Sequence, residues 1–272
     1  MKSIYSRPSG TILVLASILV AANWQEVAAQ ETRSGQPATL CSSAAPTFVE
    51  PMSMPHWNGW GADTSQHRFQ PSDMAQLAAE DVPRLRLKWA FGFPDAHRAY
   101  AQPTVFGGRI FIGSQGGRVY SLDAKFGCTY WEFDAGTSVR TAITIGKDST
   151  GWVAYLGDVK GNAYAIDALS GKLRWKHSIE DHPSAVITGS PTLVGATLFV
   201  PVSSYEELTG ANPHYSCCTF RGSIVALDAS TGKLLWKSYT IAQKANPGVA
   251  NALVRRSTNG AVGSGSLVVT DL

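Results

Sequence analysis

The stretch from Ser204 to Gly222 gathers the most reactive side chains of this sequence: Ser204-Tyr205-Glu206-Glu207-Leu208, then the adjacent Cys217 and Cys218, then Arg221-Gly222. The carboxylate oxygens of Glu206 or Glu207 suit a hard divalent cation, and the planar guanidinium of Arg221 suits a carboxylate partner. Both also fit plainer roles, as solvated loop glutamates and a surface arginine at a strand start. The cysteine pair is more specific. Neighbouring α-carbons stand about 3.8 Å apart across a trans peptide, below the roughly 4.4–6.8 Å that disulfides span. A bond between Cys217 and Cys218 would be strained, and such strain persists where it does a job; two free neighbouring thiols are the alternative. The pairing of Cys41 and Cys128 stays open. The six histidines are scattered without metal-ligand spacing. Cys41 is followed by Ser42, Ser43, Ala44 and Ala45, so no Cys-x-x-Cys-His haem attachment is expected.

These residues sit within a repeating scaffold. The phrases GGRVYSLDAKFGCTYW, KGNAYAIDALSGKLRW and RGSIVALDASTGKLLW end at Trp131, Trp175 and Trp236. Each reads as strand, tight turn, strand. Gly127, Gly171 and Gly232 share the turn position where a positive φ is cheap only for glycine, and Asp123, Asp167 and Asp228 are expected to bond their own turn backbone. Trp89 belongs to the same series, which runs at intervals of 42, 44 and 61 residues. The last interval therefore holds an insertion of about 17 residues, and the cysteine pair lies in it. Ahead of each phrase comes another strand pair broken by a glycine turn: QPTVFGGRIFIGSQ, AITIGKDSTGWVAYLGD and SPTLVGATLFVPVSS. Four strands per period define a β-propeller blade, so the fold expected is all-β, an incomplete propeller.

Composition bounds the function. Charged residues make up 16% of the 272, the net charge is +3 and glycines number 26. So small and dispersed a charge excludes a nucleic-acid surface. Lys2 and Arg7 precede an apolar run from Thr11 to Ala22, and Val27-Ala28-Ala29 offers small residues for cleavage, so residues 1–29 are expected to be a secretory signal peptide. The run is too short for an ordinary spanning helix and nothing later matches it, so no membrane span is expected. Residues 30–54 read as a flexible N-terminal arm rich in Pro, Ser, Thr and Ala.

The segment HWNGWGADTSQHRFQP from His56 to Pro71, the blade phrases and CCTFRG together resemble the pyrroloquinoline quinone (PQQ) dependent alcohol dehydrogenases, most nearly the polyvinyl-alcohol type, from about Met52 to Tyr239. The resemblance implies an eight-bladed propeller, of which about three to four blades lie here, with PQQ and a calcium ion near its axis. The order Thr188-Gly189-Ser190-Pro191, Ser204-Tyr205-Glu206-Glu207-Leu208, Arg221-Gly222 is similar to that of the family. It implies that Thr188 and Ser204 hydrogen-bond the quinone, that Glu207 is a calcium ligand with Glu206 as competitor, and that Arg221 meets a cofactor carboxylate. Cys217 and Cys218 resemble the family's vicinal disulfide, which lies flat on the cofactor, although here the pair sits one blade later than in the better-known pattern. An alcohol substrate, a cytochrome c acceptor and a periplasmic location are implied with these. The blade phrases alone would also fit a non-catalytic scaffold of the bacterial envelope.

The family's catalytic aspartate and remaining calcium ligands belong to later blades, so no catalytic residue is assigned and inactivity of the chain by itself is expected. The propeller repeats are expected over residues 55–258. Over 259–272 the run Asn259-Gly260-Ala261-Val262-Gly263-Ser264-Gly265-Ser266-Leu267-Val268-Val269-Thr270 and the two residues after it can be encoded so that the next frame reads Met-Gly-Pro-Ser-Gly-Ala-Gly-Val-Trp-Ser-Ser-Pro-Thr, similar to the family. A frame-shifted tail is therefore expected there. An open arc would expose an apolar blade face, so poor solubility or oligomerisation is expected as well.

Overall fold

In a computed structural model, the structure describes residues 39–42, 46–48, 51–65, 67–94, 96–212, 214–215 and 218–242. The leader expected over 1–29, Cys217 and the tail expected over 259–272 lie outside the described residues.

Three antiparallel sheets follow one another along the chain. Blade 1 comprises β1 (Thr104–Phe106), β2 (Arg109–Gly113), β3 (Arg118–Asp123) and β4 (Thr129–Asp134). Blade 2 comprises β5 (Thr144–Asp148), β6 (Gly151–Gly157), β7 (Asn162–Asp167) and β8 (Leu173–Ser178). In blade 3, β9 (Ala185–Val186) pairs the end of β11 (Thr197–Ser204), alongside β10 (Thr192–Val194), β12 (Ser223–Asp228) and β13 (Leu234–Tyr239). In every blade four strands pair in sequence order, as four strands per period predicts, and in blade 3 the short β9 adds to β11 outside that order. The arrangement is a partial propeller. Two one-turn helices, α1 (Ser72–Ala75) and α2 (Glu206–Thr209), lie in connections.

The cores lie between blades. In β7, side chains alternate across the sheet: Ala163 and Ala165 join Leu198, Val200, Val225 and Leu227 of blade 3. Tyr164 and Ile166 join Phe106, Phe111 and Val119 of blade 1. Small residues on one face and large ones on the other let successive blades nest at native density.

The repeated tryptophans are the joints. Trp131 Nε1 donates to Ala168 O at 3.1 Å and Trp175 Nε1 to Ala229 O at 3.0 Å, each reaching the phrase turn of the next blade. Trp89 does the same to Ala124 O at 3.3 Å, so the stretch before β1 docks on blade 1 as a preceding blade's outer strand would. Each ring lies over the phrase glycine: a Cβ on Gly127, Gly171 or Gly232 would stand 2.6, 2.8 or 2.7 Å from the indole of Trp89, Trp131 or Trp175. The phrase aspartates hold the turns as expected, Asp123 Oδ1 accepting the Lys125 and Phe126 N–H at 2.8 and 2.7 Å and Asp167 Oδ1 that of Ser170 at 2.9 Å. A second ladder joins the inner strands, where Thr104 Oγ1 donates to Ile143 O and Thr144 Oγ1 to Pro191 O, both at 2.5 Å.

The glycine contact yields a paired prediction. Gly171 and Gly136 have φ of +74° and +72°, but nothing lies within 4 Å of a Cβ at Gly136. Both alanine variants carry the backbone strain, and only Gly171→Ala also pushes on a ring. Gly171→Ala is expected to lower stability by about 1–3 kcal/mol more than Gly136→Ala, the cost of overpacking, in urea denaturation.

Where composition pointed to a flexible arm over 30–54, described parts of it are tied down. Cys41 forms a disulfide with Cys128, and Leu40 pairs with Thr129 at the start of β4.

Candidate functional site

The connections entering each inner strand and those joining the second strand to the third open at one end of a blade, and in blade 3 that end carries the expected residues. Thr188 lies between β9 and β10, half-buried, with its hydroxyl 3.2 Å from that of Ser203. The strand alternation thus brings Ser203, not Ser204, to Thr188. Ser204 is buried and its Oγ accepts the Glu206 N–H at 3.2 Å, starting α2. Ser203 is missed by motif order, and the period of two along β11 is the signal that separates the neighbours.

The two glutamates have different surroundings. Glu206 is 2% exposed, and its Oε1 accepts from Tyr215 Oη at 2.7 Å, Thr219 N–H at 2.8 Å and Thr219 Oγ1 at 3.2 Å, while Oε2 accepts the Phe220 N–H at 2.8 Å. Burial pushes its carboxyl up, but the Thr219, Tyr215 and Phe220 bonds outweigh this and hold it below the ordinary glutamate range. His182 adds Nε2 to Thr219 Oγ1 at 2.8 Å and stacks edge-on against Phe220. Glu206 is therefore a brace for the connection between β11 and β12. Glu207, one residue on, is exposed and uncommitted among the described hydrogen bonds.

Beyond the brace, Cys218 is disulfide-bonded, and Cys217 lies outside the described residues. Arg221 precedes β12 at the same end of the blade. Its guanidinium lies 3.6 Å over the Tyr239 ring and Nη1 donates to Ala242 O at 3.0 Å. Those contacts lie at the outer strand β13, and no described hydrogen bond joins Arg221 to Thr188.

A different arginine reaches the site. Arg140, in the connection from β4 to β5, donates Nη1 to Tyr205 Oη at 3.3 Å, bridging blade 2 to the turn that precedes Glu207. Its guanidinium rests 4.6 Å over Tyr100, and its Nε is buried without a partner. Tyr100, Arg140 and Thr188 each stand four residues before the threonine of their inner strand, Thr104, Thr144 and Thr192. Aligning the repeats on those threonines is the signal that would have found Arg140.

The His56–Pro71 segment lies across the inner strands. Trp57 pairs with Val105, and the Asn58 side chain bonds both backbone groups of Ile145, at 2.8 and 2.7 Å. A cavity of about 240 Å³ lies there, lined by His56, Asn58, Trp60, Asp63, Thr144 and Thr192 among others.

The donor set suits a multiply charged, oxygen-rich group with a cation: hydroxyls at Thr188 and Ser203, an orphaned guanidinium N–H at Arg140 and a free carboxylate at Glu207. Among the described residues no three His, Cys, Asp or Glu side chains converge as a metal cage. Glu207 would supply one ligand, and the others must come from the bound group or from elsewhere.

Nested four-stranded blades locked by tryptophan joints, with polar connections gathered at one end, define part of a β-propeller. The sequence profile of the PQQ_2 family, described as outer membrane protein assembly factor BamB, matches residues 58–269. The chain is 43% identical over 212 residues to a polyvinylalcohol dehydrogenase of Pseudomonas sp, covering 76% of this chain and 33% of that one. It is 42% identical over 214 residues to the polyvinylalcohol dehydrogenase of Sphingopyxis sp. strain 113P3, covering 77% and 32%. The crystal structure of quinohemoprotein alcohol dehydrogenase from Comamonas testosteroni superposes with a TM-score of 0.56 at 23% identity, covering 69% of this chain and 27% of that chain, which shows the shared fold. The chain spans about one third of the length of these curated relatives. It belongs to the PQQ_2 family, and its sequence is similar to the quinoprotein alcohol dehydrogenases.

Proposed function

We propose that this chain supplies three blades of a PQQ-dependent dehydrogenase that oxidises alcohol groups, and that the loop end of blade 3, completed by Arg140, forms one wall of its cofactor site. The observation that carries this is the division of labour between neighbours: Glu206 is consumed as an internal brace, which leaves Glu207 free, with Thr188, Ser203 and the unpartnered Arg140 Nε at the same end.

In this reading PQQ, when bound, accepts the two electrons and the hydride equivalent of the alcohol carbon. The chain's own residues bind and orient. Arg140 meets a cofactor carboxylate, Thr188 and Ser203 donate hydroxyl hydrogen bonds, with Ser204 holding the turn, and Glu207 ligates a calcium ion. Arg221 takes a cofactor carboxylate through the in-plane N–H groups that its stacking on Tyr239 leaves open. With Cys41 and Cys128 joined to each other and Cys218 bonded, a vicinal disulfide with Cys217 belongs to the same wall. A leader like residues 1–29 supports a periplasmic location, and cytochrome c is the acceptor in this reading. The catalytic base is not among the described residues, so the chain alone is expected to show no turnover. The non-catalytic envelope scaffold is the second reading. The family description and the blade phrases suit it, but it has no use for an exposed, uncommitted Glu207 and a buried Arg140 Nε without a partner.

The test replaces the matching region of the Pseudomonas polyvinylalcohol dehydrogenase with residues 58–242 of this chain. Alcohol-dependent dye reduction is expected in that chimera with PQQ and calcium. Arg140→Ala and Glu207→Gln should each lower it by about 10- to 100-fold, the 1.5–3 kcal/mol of a hydrogen bond to a charged group. A cooperatively folded chimera that stays inactive, or whose activity ignores both substitutions, contradicts the reading.

A further inference from the structure

Arg109, at the start of β2, is 1% exposed. Its guanidinium lies between two rings, 5.0 Å from Phe48 and 4.5 Å from Tyr130. It donates to Pro46 O at 2.8 Å, Leu169 O at 3.1 Å and Ala168 O at 3.4 Å. The first carbonyl belongs to the N-terminal arm, and the other two to the phrase turn of blade 2. One buried cation therefore ties three separate stretches of chain together. The Phe48 ring closes the same joint, meeting Phe106, Phe111 and Trp152 edge-on at 5.6, 6.4 and 5.8 Å. It also overlies Gly107, where a Cβ would stand 2.5 Å from it.

Away from Pro46 and Phe48, the arm's described hold on blade 1 is slight. Cys41 N–H donates to Thr129 O at 3.0 Å and Thr129 N–H to Thr39 O at 2.9 Å. Each such bond is worth about 1 kcal/mol net, whereas ordering each arm residue costs about 1–2 kcal/mol. The Cys41–Cys128 bond, between residues 87 apart in sequence, changes that balance. It makes docking of Pro46 and Phe48 a local event at high effective concentration.

We propose that the Cys41–Cys128 disulfide turns the arm residues 39–42 and 46–48 into a redox-dependent strap that clamps blade 1 to blade 2 through Arg109. Reduction takes two electrons and two protons from an added dithiol, which closes to its own disulfide, and leaves two thiols. The strap then leaves, water reaches the guanidinium, and the joint between blades 1 and 2 loosens. The joint between blades 2 and 3, built on Trp175 and Ala229, contains no strap residue and stays closed.

Hydrogen exchange read by mass spectrometry on the purified full chain tests this with Cys41→Ser/Cys128→Ser and no reductant, which leaves the bond at Cys218 intact. Amides at 39–42, 47–48, 107–109 and 168–171 are expected to exchange at least about tenfold faster than in the oxidised parent, those flanking Ala229 at the parent rate. Phe48→Ala, with the disulfide kept, should speed 107–109 and 168–171 in the same way, and dithiol treatment of the parent should reproduce the serine pattern. Unchanged exchange at 168–171 in the double variant overturns the proposal. So does uniform acceleration through all three blades, which would make the disulfide a support of the whole fold.

Discussion

Trp175→Ala is expected to lower stability by about 3–5 kcal/mol, the usual cost of truncating a buried aromatic, against a total of about 5–15 kcal/mol for a domain. The indole is 8% exposed, its N–H is spent on Ala229 O, and its ring covers Gly232. Truncation would open a cavity along the joint, strand a carbonyl and loosen a turn. Trp236 occupies the same place in its phrase but is 47% exposed, so Trp236→Ala is expected to cost about 1 kcal/mol or less, as surface changes do. Urea midpoints of the two variants measure the difference, and equal losses would show that the joints do not carry the arc.

The second large effect is expected at Glu206. Glu206→Gln keeps the volume but replaces an acceptor oxygen with an amide donor among four donating groups. A loss of about 3 kcal/mol is expected, one charge-assisted bond plus a buried donor left without a partner. The pH dependence has a definite sign. Because the folded carboxyl sits below its ordinary range, its contribution is fully present above the unfolded value near 4.3. It is lost as pH falls through the lower folded value. The gap between parent and Glu206→Gln should therefore be full at neutral pH and shrink in acid, as read by thermal melting across that range.

Sequence legibility differed between the scaffold and the site for a physical reason. Blade phrases are local: strand, Asp turn, glycine and tryptophan lie within sixteen residues, and period and turn chemistry disclose them directly. Even the 17-residue insertion falls where the brace and α2 stand. The site depends on contacts between repeats. Which of Ser203 and Ser204 meets Thr188 is decided by strand pleat, and which of Glu206 and Glu207 is free is decided by Tyr215, Thr219 and Phe220, nine to fourteen residues away. Arg140 is 65 residues from the tyrosine it bonds. Arg221 has the residue type for a carboxylate, and its stacking on Tyr239, eighteen residues on, is a contact that the motif order does not disclose. The tie between Cys41 and Cys128 left no trace in composition, since parity permits the pair without selecting it.

If one end of blade 3, with Arg140, is a wall of a quinone site, PQQ must depend on that arginine to stay bound. The most direct test of this is the amount of PQQ retained after gel filtration by the chimera carrying residues 58–242, with calcium present, against the same chimera with Arg140→Ala. Near-stoichiometric quinone absorbance is expected in the first, and a dissociation constant raised about 10- to 100-fold in the second. Equal retention by both folded proteins, or by neither, would contradict it.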